Sequence, residues 1–372
     1  MSLDPINGGG TAERTFQISK FLAKAGVGCT VLTTNLGLTP ERIKSLDGVD
    51  VIPLPCLFKR FYIPKFSYRE IKHIVESVDI VHLMGHWALI NALVYFVARR
   101  LKKPYVVCPA GELPIYGRSK FLKMFFNKII GKKIILNAKK HIAISTNEII
   151  QFQTYGVNLD KISVIPNGID PEQFVRHDDQ NFRSKFGLGA HPFILFVGRL
   201  NYIKGPDLLL KAFCNIKDVL QDYHLVFVGP DEGLLSSLKK IAAAYDIEDR
   251  VHFIGYLGGD NKSQAYYASE LLVIPSRQEA MSIVVLEAGI TGTPVLLTVQ
   301  CGFMDIERSD GGLVVESSVN ALQLGLIELL KNPAELKKRG GNLKKYINDH
   351  FSWEIIIDKY QKVYKEILNK YA

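Results

Sequence analysis

The sequence predicts two consecutive α/β domains built on parallel sheets, and three observations predict it. Short β-branched runs alternate with stretches of helical period almost throughout, the signature of strand–helix–strand units. The alternation runs through residues 29–166, gives way to a polar stretch at 170–190, and then restarts. Finally, 372 residues are too many for one ordinary core and comfortable for two.

In the first half the expected strands are Cys29–Thr34, Val49–Leu54, Asp79–Leu83, Pro104–Cys108, His141–Ser145 and Ile162–Pro166. Helical patterns fill the gaps, for example Glu13–Ala25, with Gly26 as its C-terminal cap. The loop Asn7-Gly8-Gly9-Gly10 runs into that helix as a strand–loop–helix unit would, yet no strand precedes it. The first, normally central strand is therefore expected to be missing from this sheet, and Met1-Ser2-Leu3 has the look of an expression remnant. The polar stretch Asp170–Ala190 reads as a linker and first helix. In the second half the expected strands are Phe193–Val197, His224–Val228, Val251–Ile254, Leu271–Ile274, Pro294–Leu297 and Leu313–Val315. Two such patterns of similar size imply Rossmann-like domains facing one another. A last amphipathic helix, Trp353–Tyr371, carries apolar Ile356, Ile357, Tyr360, Val363, Tyr364 and Ile367. Expected boundaries are 1–170, 171–350 and 351–372.

Hydrophobic residues make up 47% and charged residues 22%, a globular balance. No apolar run is long enough to span a bilayer, and no secretory signal opens the chain. The five cysteines (Cys29, Cys56, Cys108, Cys214 and Cys301) are scattered without a CxxC pair. They read as reduced thiols rather than a disulfide framework or zinc site, and the cytoplasm is the expected compartment. The net charge of +9 is uneven: 24 Lys and Arg face 15 Asp and Glu in residues 1–180, against 22 and 22 thereafter. Such an excess points to an anionic partner, namely a membrane surface, a lipid phosphate or a nucleic acid. No recognisable nucleic-acid motif accompanies it, so no nucleic-acid partner is expected. From Arg118 to Leu136, lysines interleave with Phe121, Phe125, Phe126 and several isoleucines. That pattern suggests a helix lying on an anionic leaflet, at the inner face of the cell membrane. The competing reading is a domain helix whose lysines stay wet.

The chemistry concentrates between residues 193 and 287. One expected strand ends in Gly198-Arg199-Leu200, and Lys204-Gly205 then opens a helix with Pro206 at its first position. Cations on loops at the carboxyl edge of a parallel sheet suit a diphosphate, and would stabilise charge growing on a leaving nucleoside diphosphate. Alone, Gly198–Leu200 reads better as a solvated loop. Further on, Leu271–Ile274 leads through Pro275–Glu279 to Ser282 and an apolar helix carrying Glu287. Ser282 suits an N-cap, so free N–H groups and a positive helix end would face a phosphate. An ionised Glu287 among Val284, Val285, Leu286, Ala288 and Ile290 needs a partner. A ribose with two vicinal hydroxyls would serve, and so would a buried salt bridge.

These residues, in the order G-R-L-x-x-x-K-G and then E-x7-E opening Glu287–Leu296 (EAGITGTPVL), resemble the family-four retaining glycosyltransferases, whose fold is GT-B. The resemblance covers nearly the whole chain, including the opening glycine loop, VIPNGID at 164–170 and the closing FSWE. It implies that Arg199 and Lys204 hold a nucleotide-sugar diphosphate and that Glu279 contacts the transferred sugar. It places Glu287 on the ribose, and Gly198 and the amides of Ser282, Ile283 and Val284 around the donor. Gly9 and Gly10 would let the first domain approach that donor closely. The resemblance further implies a site between the domains, a final helix packed back on the first domain, and no metal or other cofactor. One departure is Ala110, where the family often carries a histidine thought to touch the donor sugar. Glu112 and His86 are then candidates for sugar or acceptor contacts, each balanced by an ordinary packing role. The implied reaction moves a hexose to a hydroxyl of a glycan or lipid-linked acceptor, as in cell-surface polysaccharide synthesis. Three alternatives stay open: a nucleotide-sugar epimerase, a dinucleotide-dependent oxidoreductase lacking a clean G-x-G-x-x-G, and a non-catalytic membrane or nucleic-acid binding module.

Overall fold

The structure, a computed structural model, describes residues 3–4, 8–59, 62–115, 119–176 and 179–370, with backbone alone for 179–181. Met1 and Ser2 of the suspected remnant, Asn7 of the glycine loop, and Arg118 lie outside the described residues. The chain divides into two compact units: Met1–Gly168 with Trp353–Ala372, and Ile169–Ser352. The changeover at Gly168–Ile169 leaves the polar stretch from Asp170 inside the second unit.

In the first unit, helix α1 (Gly9–Lys24) precedes β1 (Cys29–Thr34) and β2 (Val49–Leu54), which pair in parallel. A small antiparallel pair follows, β3 (Cys56–Phe58) and β4 (Ile63–Pro64). Four parallel strands then form a separate sheet: β5 (Val81–Met84), β6 (Tyr105–Cys108), β7 (Lys140–Ala143) and β8 (Ile162–Val164), in that order. Every residue of β6 is buried, as a parallel strand covered on both faces requires. The β7 ladder ends before the expected Ser145. There the Ile144 N–H donates to the Glu148 carboxylate and the Ser145 carbonyl accepts from the Glu148 N–H. Among the described residues no strand precedes α1, and β1 and β5 do not pair.

The second unit holds one six-stranded parallel sheet. Its strands are β9 (Phe193–Val197), β10 (His224–Val228), β11 (Val251–Gly255), β12 (Leu271–Ile274), β13 (Val295–Thr298) and β14 (Gly312–Val315). The order β11-β10-β9-β12-β13-β14 is doubly wound, reversing direction between β9 and β12. Helices α2 (Pro206–Asn215), α3 (Gly259–Ala268), α4 (Ile283–Thr291) and α5 (Pro333–Phe351) belong to this unit. Phe196, Phe213, Phe227 and Leu296 share its apolar core.

Helix α6 (Trp353–Asn369) returns to the first unit and buries all six apolar positions named from its periodicity. Trp353 lies against Phe21 of α1 with ring centroids 6.0 Å apart. A Cβ on Gly168 would sit 2.6 Å from the Trp353 indole, so only glycine fits there. Beneath this contact Arg14 of α1, 1% exposed, donates to the Asn167 side chain, to the Ile165 carbonyl at 2.7 Å and to the Tyr360 hydroxyl at 2.5 Å. One guanidinium therefore joins α1, the segment after β8 and α6. Removing it breaks three buried hydrogen bonds and opens a cavity. Arg14→Ala is expected to destabilise the first unit by about 3 kcal/mol in denaturant titration, on the scale of a broken buried polar network.

Candidate functional site

At the reversal point, the loops after β9 and β12 leave the sheet side by side. Helices departing to opposite faces open a crevice between such loops. Several bonds stitch the two loops together. The Arg277 N–H donates to the Ile203 carbonyl at 2.8 Å. The Arg277 guanidinium grips both Asp207 oxygens at 2.8 and 2.7 Å and reaches the Tyr202 carbonyl, a geometry that arginine's planar fork favours. Gly205 sits at φ +69°, and a Cβ there would fall 2.1 Å from the Pro275 carbonyl oxygen.

These bonds position Lys204 and Glu279. The Lys204 N–H donates to the Asn201 side chain at 2.9 Å, and Nζ meets Glu279 Oε1 at 2.7 Å. The other Glu279 oxygen accepts from Ser276 Oγ at 3.1 Å. Arg199 stands on the same loop, beyond Gly198, but it is exposed and pairs with Glu232 at 3.0 Å. Asn201 Nδ2 reaches Glu232 as well, at 2.7 Å. Gly198 lies under Gly229, whose Cβ would clash with the Gly198 carbonyl.

Helix α4 begins at Ser282, which is 0% exposed. Its hydroxyl makes no capping bond, and its Oγ is buried with no hydrogen-bond partner. The amides of Ile283 and Val284 open the helix, where N–H groups have no intrahelical acceptor. Glu287, one turn further and 7% exposed, is already partnered. Lys262 Nζ lies 2.6 Å from Oε1, and the Tyr266 hydroxyl donates to Oε2 at 2.6 Å. Burial and the adjacent Glu287 charge push the Tyr266 phenol well above its usual range. Sequence reasoning had asked for a partner to Glu287 without naming Lys262 or Tyr266. Their four-residue spacing on α3, one helix face, was the available signal. Glu232, Asn201, Ser276 and Arg277 were also missed.

The remaining expected residues lie in the first unit. Gly9 opens α1 at φ +60° with nothing near its missing Cβ, so backbone conformation and not space selects glycine; Gly10 follows, exposed. Ala110 adopts φ +51°, uncommon for a side chain and a mark of a constrained turn. Glu112 is enclosed: it accepts from the His86 N–H at 2.6 Å and the Trp87 N–H at 3.4 Å, with Thr11 Oγ1 at 3.5 Å. Burial raises its pKa, partly offset by those backbone donors. The His86 ring is buried against Trp87, Phe126 and Tyr155, with Nε2 3.3 Å from Asn127 Oδ1. Burial pulls its pKa down to about 4, against a smaller opposing effect of Asn127.

The basic segment divides into a helix Lys120–Phe126, a π-helical turn Asn127–Gly131 and a helix Lys132–Leu136. Ile134 and Ile135 are buried, while Phe121 is 87% exposed and Leu122, Met124, Phe125 and Ile129 are exposed beside it. Among the described residues no helix is long and apolar enough to cross a membrane.

Comparison with known proteins bears on this geometry. A family model described as "Glycosyl transferases group 1" matches residues 178–346, and one described as "Glycosyltransferase Family 4" matches residues 8–173. The chain is 31% identical over 213 residues to an uncharacterized glycosyltransferase of Methanocaldococcus jannaschii, a match covering 55% of this chain and about half, 54%, of that protein. It is 26% identical over 404 residues to a D-inositol 3-phosphate glycosyltransferase of Acidothermus cellulolyticus, covering 97% and 86%. Among solved structures, HepE of Anabaena in complex with UDP-glucose superposes with a TM-score of 0.77 at 17% identity, covering 96% of each chain. The parallel sheets of the two units and these matches define a glycosyltransferase of GT-B fold. The chain belongs to the family-four glycosyltransferases.

Two outcomes follow. Gly205→Ala is expected to lower the melting temperature by several degrees, because φ +69° and the Pro275 carbonyl both oppose a methyl group. For His86 the folded ring stays neutral to about pH 4, whereas the unfolded ring protonates near 6.5, so stability falls as pH drops through that window. Between pH 6.5 and 5 this amounts to about 2 kcal/mol. Stability measured against pH should therefore have a shallower slope in His86→Gln.

Proposed function

We propose that the chain transfers a hexose from a nucleoside-diphosphate sugar to a hydroxyl acceptor, with retention at the anomeric carbon. The observation that carries the reading is the α4 N-terminus. There a buried Ser282 hydroxyl without a partner and the amides of the first helical turn follow a loop bearing the Glu279–Lys204 pair. Such an array suits phosphate oxygens, and Lys204 with Arg199 would neutralise the diphosphate as it departs. Lys204 and Arg199 then serve in the role that a divalent ion has in other transferases. The UDP-glucose bound to HepE makes uridine nucleotides the first donors to test.

In this reading Glu279 turns from Lys204 to hydroxyls of the sugar, and Glu287 exchanges Lys262 for the ribose while keeping Tyr266. The leaving phosphate acts as base on the face it departs from, so no protein carboxylate becomes a covalent nucleophile. In the first unit Glu112, which accepts from the His86 N–H, is the group we assign to acceptor hydroxyls. The exposed Phe121 and Phe125 among lysines support a lipid-linked acceptor met at an anionic membrane surface, as polysaccharide synthesis at the cytoplasmic face requires.

Calorimetric titration with UDP, GDP, ADP and their sugars tests the reading, repeated on Lys204→Ala and Glu287→Gln. We expect one nucleoside diphosphate to bind, and each substitution to weaken it tenfold or more, about 1.4 kcal/mol. A folded wild-type chain that binds none of them would refute the proposal.

A further inference from the structure

A third loop borders the crevice of the second unit. Strand β13 neighbours β12, and the short helical turn Val299–Cys301 follows it at the same sheet edge. Three bonds lace this end of β13 and its turn to the segment Ile274–Glu279. Thr298 Oγ1 donates to the Ser276 carbonyl at 2.6 Å, and the Cys301 thiol to the Ile274 carbonyl at 3.5 Å. The Glu279 N–H donates to the Gln300 carbonyl at 3.1 Å. Glu279 is therefore held twice, through its carboxylate by Lys204 and Ser276 and through its backbone by Gln300. Burial, and next the Glu279 charge, push the Cys301 thiol up to about 12, as a turn seated beside that carboxylate requires.

Two unsatisfied atoms flank Glu279. Among the described residues of the second unit, three buried side-chain polar atoms have no hydrogen-bond partner: Ser282 Oγ, Gln300 Oε1 and Ser317 Oγ. The first follows Glu279 by three residues, and the second belongs to the residue that accepts the Glu279 N–H. Folded proteins rarely leave such atoms bare, so each calls for a partner from outside the chain. Their chemistry differs. A serine hydroxyl donates as well as accepts, which suits phosphate oxygens at the head of α4, whereas an amide carbonyl oxygen only accepts. The oxygens of a diphosphate are acceptors too, and give Gln300 Oε1 nothing. Its partner must bring an O–H or N–H, and a pyranose beside Glu279 brings several.

We infer that Gln300 reads the donor sugar: its side-chain carbonyl accepts from a hydroxyl of the transferred hexose that Glu279 does not hold. The inference rests on the reading above that Glu279 faces that sugar. Gln300 then sets specificity, because its backbone bond to Glu279 fixes where the acceptor stands. A sugar that lacks the hydroxyl, or carries it on the other face of the ring, leaves that acceptor unpaired. The same atom costs the empty protein stability, since an unmet buried acceptor is worse than an apolar group of its shape.

The test uses Gln300→Leu and, in case that variant folds poorly, Gln300→Met. Calorimetry measures binding of the free nucleoside diphosphate and of its conjugates with glucose, galactose and N-acetylglucosamine, in the base series that the titration above selects. The wild type should prefer one of these sugars by about tenfold or more. Both variants should bind that sugar nucleotide about tenfold more weakly, and the free diphosphate within about twofold of wild type. Without ligand, each variant should melt about 3 °C higher. Equal losses for diphosphate and sugar nucleotide would make Gln300 a prop of the site and overturn the inference. So would an unchanged sugar preference, or a lower melting temperature, which would mean that an ordered water already satisfies the amide. These outcomes leave the proposed function standing. A folded wild-type chain that binds no nucleotide refutes that function, and this inference with it, so the two failures are told apart.

Discussion

Between β9 and β12 the crossover helices leave for opposite faces of the sheet, so the loops that follow these two strands have no helix to cover the space between them. Each loop must be held by the other, and the Arg277–Asp207 fork and the Gly205–Pro275 contact do this. Lys204, Glu279 and Ser282 owe their positions to that bracing. It also explains why the cation of one loop and the carboxylate of the other meet at 2.7 Å. In a partly dry crevice each charge offsets the burial of its neighbour.

Much of this was legible in the sequence because parallel strands advertise themselves. Phe193–Val197 and Leu271–Ile274 are continuous apolar runs closed by Gly or Pro, and the structure keeps both with unchanged limits. Residues at their carboxyl ends could therefore be assigned to one sheet edge. Partners drawn from elsewhere were less legible. Glu232 reaches Arg199 across 33 positions, and Lys262 and Tyr266 belong to a helix with little apolar periodicity to orient it. The demand for a partner is a local property of Glu287, but its identity is tertiary. Strand ends shifted for a similar reason, as at β7, where the Glu148 side chain takes an amide that the ladder would have used.

The first unit tolerates two features that polar chemistry disfavours, a buried cation and a divided sheet. Arg14 has three neutral oxygens for company and no carboxylate within hydrogen-bonding distance in its set of bonds. Delocalised guanidinium charge makes such a placement less costly than a buried ammonium would be. The buried cation was not readable beforehand, since Arg14 sits in an otherwise ordinary helix sequence.

The crossing between units has its own consequence. Gly168 packs on Trp353 within the first unit, while the Ile169 N–H donates to the Phe351 carbonyl at 2.8 Å within the second. Outgoing and returning chains are thus neighbours on both sides of the boundary. Topologically the second unit is an insertion with adjoining ends. A cut at Gly168–Ile169 and Ser352–Trp353 would release it as one continuous polypeptide, and a short splice from Gly168 to Trp353 would reseal the host. Genetic exchange of such an inserted unit therefore has a ready pair of junctions.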